Sequence, residues 1–228
     1  MNRIQVIRLG LFQMAAGGLS VIFLGVLNRV MRVELGIDLL VVSILVGGGH
    51  YMGALVAIPF GHFSDTHRIA GYRRTIYVII GIIVTTIVLI LSPQIAVWVS
   101  YDPTILRVAT AFMFFLLEGI ATFLAGTAYL ALIADLTTSK ERGPAAALVW
   151  TLLMIGIIIT GVGAASFMES YSFNRMIILC SSTSIVALLM ALIALWKQES
   201  RSDDKISPPE SLLAALRIVI NSQTSRRF

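Results

Sequence analysis

The chain has 228 residues, of which 57% are hydrophobic and only 13% charged, with a mean hydropathy of +0.91. That leaves too little polar surface to coat a soluble globule, and the composition points to a lipid bilayer. The net charge of +5 does not indicate nucleic acid, because Lys and Arg are scattered over short loops between apolar runs and not gathered on one solvated face.

The first apolar run, Ile7 to Asn28, follows a basic start as in a signal peptide. Its hydrophobicity continues past Ala15-Ala16-Gly17 to Leu27, which predicts a retained spanning helix. The second, Leu39 to Gly61, has 23 residues; at ~1.5 Å per residue it reaches about 34 Å, enough for a hydrocarbon core of about 30 Å. Thr75 to Val97, Ile105 to Ala134, Pro144 to Phe167 and Met176 to Trp196 complete six predicted spans. The expected fold class is therefore an all-α membrane protein with six transmembrane helices. Small residues allow helices to approach closely in lipid. The first span supplies Ala15, Ala16, Gly17, Gly18 and Gly25, the second Gly47, Gly48, Gly49 and Gly53, and the fifth Gly156, Gly161 and Gly163.

Between spans four and five, Thr138 with Glu141 has the spacing of a capping box. After Trp196 the composition changes to KQESRSDDKISPPE, which reads as a linker. Ser207, Pro208 and Glu210 then predict the start of a short helix whose Leu212, Leu216, Val219 and Ile220 share one face. The expected organisation is a bundle over residues 1–196 and a cytoplasmic linker with an amphipathic helix over 197–228. Of the 17 Lys and Arg residues, Arg29, Arg32, Arg107 and Arg175 fall on one side and the other 13 on the side of both termini. The positive-inside rule places both termini in the cytoplasm.

Little of this carries catalysis. The single cysteine, Cys180, lies in an apolar run, so no disulfide framework or CxxC site can form. The polar island GHFSDTHRIAGYRR, residues 61–74, holds His62 and His67 with Asp65 between them, but no third strong ligand, and no metal site is expected. There is no G-x-S-x-G, Walker loop or HExxH, so the chain is not expected to be an enzyme. The island reads better as a device at the membrane interface. Asp65 stands where span two ends, and a carboxylate there can accept hydrogen bonds from a helix N-terminus of a neighbouring bundle. An arginine among Arg68, Arg73 and Arg74 can pair with Asp135 at the inner end of span four. The alternative is a basic loop that only sets topology.

Gly61, Ser64 and Asp65, followed by Gly71, Arg73 and Arg74, resemble the loop between helices two and three of the major facilitator superfamily. The departure is a longer insert, Thr66 to Ala70. SDTHR followed by GYRR is similar to the PucC-type, bacteriochlorophyll-delivery branch, as are RLGLFQM and GVLNRVM in the first span and FLAGTAYLALIADLTTSKERGPAAALVW across spans four and five. The resemblance covers nearly the whole chain and corresponds to the N-terminal half of a twelve-helix carrier, with SLLAALRIVINSQTSRRF similar to the segment leading into helix seven. It implies one half of a major facilitator fold, and a carrier-like role in delivering (bacterio)chlorophyll or a precursor and in assembling light-harvesting complexes. It implies a plasma or photosynthetic membrane, light-harvesting polypeptides as partners, and a second half or a second copy to complete the unit. It also implies a conformational gate of Gly61, Asp65, Arg68, Gly71, Arg73, Arg74, Asp135 and Arg142. A natural half, a split gene and a truncated product all fit. Two other functions stay open: a non-transporting antenna assembly scaffold, and an ordinary proton-coupled exporter of small solutes.

Two ionisable residues lie deep in predicted spans, His50 in the second and Glu118 in the fourth. At that depth such groups are costly and face a cavity or a partner. A neutral imidazole nitrogen can ligate the magnesium of a chlorophyll cargo, and a buried glutamate can carry a proton or ligate likewise. The plainer alternative is an interhelical hydrogen bond contributing about 1 kcal/mol. Gln13, Asn28 and Arg29 are further candidates, although Arg29 can equally snorkel to the headgroups.

Overall fold

The computed structural model of the protein describes residues 3–56, 67, 69 and 71–199. Among these, six helices are long and apolar enough to cross a membrane, and there are no strands. They are α1 Gln5–Glu34, α2 Leu39–Val56, α3 Thr75–Tyr101, α4 Ile105–Leu136, α5 Arg142–Phe167 and α6 Phe173–Leu195. Gly61, His62, Asp65, Arg68 and the segment 200–228, with its expected amphipathic helix, lie outside the described residues.

The start of α1 and the end of α6 lie together, because Arg8 donates to the Trp196 carbonyl at 2.7 Å. We call this end of the bundle the terminal face and the opposite end the distal face. At the distal face each incoming helix is capped by its own sequence. Asp38 accepts from the Leu40 N–H to start α2, Thr104 from the Arg107 N–H to start α4, and Ser172 from the Arg175 N–H to start α6.

The first helix runs past the expected end at Asn28 to Glu34. Arg29 and Arg32 do not break it, since Arg29 reaches Glu34 at 3.4 Å and Arg32 donates to the Ile37 carbonyl at 3.1 Å. What stops the helix is Gly36, which takes φ +65° just beyond Leu35, a left-handed position open to glycine at little cost. Inside α3, Pro93 removes the N–H that would have bonded the Leu89 carbonyl; Ser92 Oγ donates to that carbonyl at 2.8 Å instead.

Glycines set the closest helix contacts. A Cβ at Gly156 would meet the Met14 carbonyl, and one at Gly17 would meet the Leu153 carbonyl, so α1 and α5 touch backbone to backbone. The same holds for α2 and α4, where a Cβ at Gly53 would strike the Gly119 carbonyl carbon and one at Gly119 the His50 carbonyl. The core runs between α1, α3, α4 and α6, with Phe12, Phe23, Phe115, Tyr129 and Met176 fully buried. Helix α5 is the least buried of the six.

Candidate functional site

The glycine crossing of α2 and α4 brings together two residues that are 68 apart in sequence. His50 Nδ1 lies 2.6 Å from Glu118 Oε2, with the two residues only 6% and 3% exposed. Thr122, one turn further along α4, donates to Glu118 Oε1 at 2.8 Å, so both oxygens of the carboxyl are engaged. Thr122 in turn lies 3.2 Å from Thr85 Oγ1 on α3. One polar string thus links α2, α4 and α3 through an otherwise apolar interior. Removing one member leaves the next unsatisfied, which is what keeps such a string in register.

The His50 ring is enclosed by aromatic neighbours, with Phe23, Tyr51 and Phe123 centroids 5.7, 5.1 and 5.2 Å away. Two of the surrounding segments are π-helical: Val21–Leu27, which carries Phe23, and Ser43–Gly48, which ends two residues before His50. Turns of this kind concentrate at functional sites. With Nδ1 bonded to the carboxyl, Nε2 has no partner among the described residues. A carboxylate that accepts from one ring nitrogen orients the ring and leaves the other nitrogen as an acceptor, the arrangement found for metal-ligating histidines.

Glu118 also borders a cavity of about 290 Å³ between α1, α3, α4 and α5. Gln13, Thr85, Thr122 and Trp150 line it, while His50 is not among the lining residues. Gln13, a candidate from sequence, is therefore placed beside Glu118; Arg29 lies elsewhere, paired with Glu34.

A second constellation occupies the terminal face. Arg74 Nε lies 3.3 Å from Asp135 Oδ2, with the arginine buried and the aspartate half exposed. Gly71 takes φ +83° in a tight turn across which Ile69 and Tyr72 exchange two backbone hydrogen bonds of 3.0 Å, so only a glycine fits without strain. Arg142 donates to the Ala134 carbonyl at 3.3 Å, and Thr138 donates to Glu141 through both its amide and its hydroxyl. Arg73 contributes its backbone, donating to Glu199 at 2.6 Å.

Glu199 was not visible as a site from sequence, where it reads as part of a charged linker. Its carboxylate accepts from the N–H groups of Arg73, Arg74 and Thr75, so it caps the N-terminus of α3 from 124 residues away. Lys197, at φ +52°, makes the turn that brings it back. Burial acts to raise the Glu199 carboxyl, and the backbone N–H donors outweigh it, holding the group below the ordinary carboxylate range. Glu199 is thus a carboxylate on a helix N-terminus within its own bundle, whereas the neighbouring-bundle contact expected of Asp65 lies outside the described residues. The clue available in the sequence was position alone: Glu199 is the first carboxylate after the last apolar run. Thr122 was legible as the i+4 neighbour of Glu118, whereas nothing in the sequence pointed to Thr85.

These features define a six-span helical membrane protein with an imidazole and a carboxyl paired inside the bundle. The chain belongs to the PUCC protein family, whose profile matches residues 26–228. Among curated relatives, an uncharacterised protein of the puhA-bchM intergenic region of Rhodobacter capsulatus is 35% identical over 204 residues, covering 86% of this chain and 42% of the relative. The bacteriochlorophyll synthase 44.5 kDa chain of the same species is 31% identical, covering 99% of this chain and 52% of its own length. Protein PucC of that species is 30% identical, covering 91% of this chain and 46% of its own length. The chain thus spans about half the length of the curated relatives it matches. No solved structure matches it.

Proposed function

We propose that the protein handles (bacterio)chlorophyll or a precursor in the membrane and supports assembly of light-harvesting complexes, as a carrier-like protein and not as an enzyme. The relatives named for PucC and for a bacteriochlorophyll synthase support the pigment context. The observation that carries the reading is the His50–Glu118 pair, since with Nδ1 donating to the carboxylate Nε2 keeps a lone pair that can ligate magnesium. At 6% exposure His50 is closed to a macrocycle, so loading requires the aromatic shell to part. The π-helical turns of α1 and α2 are where that movement is least costly. In this reading Arg74, Asp135 and Arg142, with Gly61, Asp65, Arg68, Gly71 and Arg73 of the preceding loop, form a gate whose pairings change between states. Both termini then face the cytoplasm, and a second half or a second copy completes the unit.

The test is pigment retention. His50→Leu, produced in a pigment-synthesising cell and purified beside the parent chain, is expected to lose co-purifying chlorophyll; an unchanged pigment ratio removes His50 as the ligand. A scaffold role is the second reading, favoured by the lipid-exposed α5, where Gly143 and Gly163 have open space for another helix to approach. It is supported instead if antenna polypeptides co-purify with the chain while no pigment does.

A further inference from the structure

The directions of the hydrogen bonds around the 290 Å³ cavity determine what it can hold. Thr122 has one hydroxyl hydrogen and gives it to Glu118 Oε1. The 3.2 Å contact between Thr85 and Thr122 must then run with Thr85 as donor, so its hydrogen is used as well. Ser20 donates to the Ala16 carbonyl at 2.9 Å and Thr127 to the Phe123 carbonyl at 2.9 Å, turning two more hydrogens into the helices. Each of these groups offers the cavity lone pairs only. Whether the proton between Glu118 Oε2 and His50 Nδ1 rests on one or the other, Oε1 remains an acceptor.

Gln13 completes the wall. It is 91% buried, lines the cavity, and its amide has no hydrogen-bond partner among the described residues. An unpaired buried amide is costly, and this one brings to the wall a carbonyl acceptor together with an NH2 donor. The volume lies just below the ~300–1,000 Å³ typical of drug-sized ligands, which suits a small guest better than a tetrapyrrole. The oxygens are spaced 2.8 and 3.2 Å along Glu118, Thr122 and Thr85, close enough for one small ion to touch neighbours.

We propose that this cavity is a binding site for a small monovalent cation, an alkali-metal ion or a primary ammonium, held by Glu118, Thr122, Thr85 and the Gln13 carbonyl. A cation needs acceptors, which the carboxyl and the four hydroxyls with committed hydrogens supply, and the Gln13 amide can turn its carbonyl to the same side. The site goes beyond the pigment reading and does not depend on it, since His50, the proposed pigment ligand, does not line the cavity.

Trp150 borders the cavity, and with Trp98→Phe and Trp196→Phe its fluorescence reports on the site alone. The purified chain in lipid nanodiscs is titrated with sodium, potassium or methylammonium chloride, choline chloride holding the ionic strength constant. A saturable change with at least one of the three and none with choline is expected. Thr85→Val and Gln13→Leu remove one oxygen ligand each and are expected to weaken binding about tenfold or more. Thr85→Ser keeps the oxygen and is expected to retain it, which separates lost ligation from lost packing. Sodium against methylammonium distinguishes a metal ion from an ammonium. No saturation with any cation up to about 100 mM, or equal affinity in Thr85→Val and the parent chain, overturns the site. Because no pigment is present, neither result bears on His50 as a chlorophyll ligand.

Discussion

The bundle interior and the terminal face solve the same problem, satisfying charged groups in a mostly apolar chain, in different ways. Inside, His50, Glu118, Thr122 and Thr85 satisfy one another in a closed string, held by a backbone-to-backbone crossing at Gly53 and Gly119. At the terminal face most charges lean on backbone, Glu199 on three amides and Arg8 and Arg142 on carbonyls, while the buried Arg74 pairs with a half-exposed Asp135. The interior arrangement cannot lose a member without leaving a buried polar group unpaired. The face can exchange any of its contacts for water. The first suits a fixed binding centre, and the second suits contacts that form and break.

Gly119→Ala should have the largest effect. Its Cβ would meet the His50 carbonyl, and backbone cannot yield as a side-chain tip can, so α2 and α4 must separate. Overpacking of this kind costs about 1–3 kcal/mol, and loss of the interhelical bond adds about 1 kcal/mol. Thermal unfolding in nanodiscs should show a fall of several degrees, and a parent-like Tm would mean that the crossing is looser than described.

Glu199→Gln should cost less, about 1 kcal/mol as for a lost helix cap. Its pH dependence has a definite sign. The carboxyl is held below the ordinary carboxylate range in the folded state, so the stabilisation is present in full above that range and is lost as pH falls through the depressed folded-state pKa. Parent and variant should therefore differ at neutral pH and converge under acid. Stability curves that stay parallel to the lowest pH reached would argue that Glu199 does not cap α3. Asp135→Asn should cost least, under about 1 kcal/mol, because the aspartate is 49% exposed and water screens the pair. A larger loss would make the terminal face as tightly coupled as the interior.

Much of the fold was legible because lipid imposes one demand, satisfaction of every backbone group within a helix, and apolar length reports directly on it. The six spans follow from that. The end of α1 did not, because Arg29 and Arg32 look like a boundary, whereas the boundary is set by the conformation of Gly36. His50 and Glu118 were each legible as ionisable groups at an expensive depth. Their pairing was not, since a contact across 68 residues depends on how α2 crosses α4. Glu199 was hidden for a related reason: a charged residue in a polar stretch has no local signature, and its role comes from the Lys197 turn.

The pigment reading proposed above rests on His50, with Glu118 and Thr122 holding its ring in place. Chlorophyll retained per chain, measured by absorbance after purification from a pigment-synthesising cell, tests it across His50→Leu, Glu118→Gln and Thr122→Val. The account predicts a graded series: loss to background at His50, a partial loss at Glu118 where the ring is no longer oriented by a carboxylate, and the smallest loss at Thr122. Equal pigment in all three variants and the parent chain would contradict it.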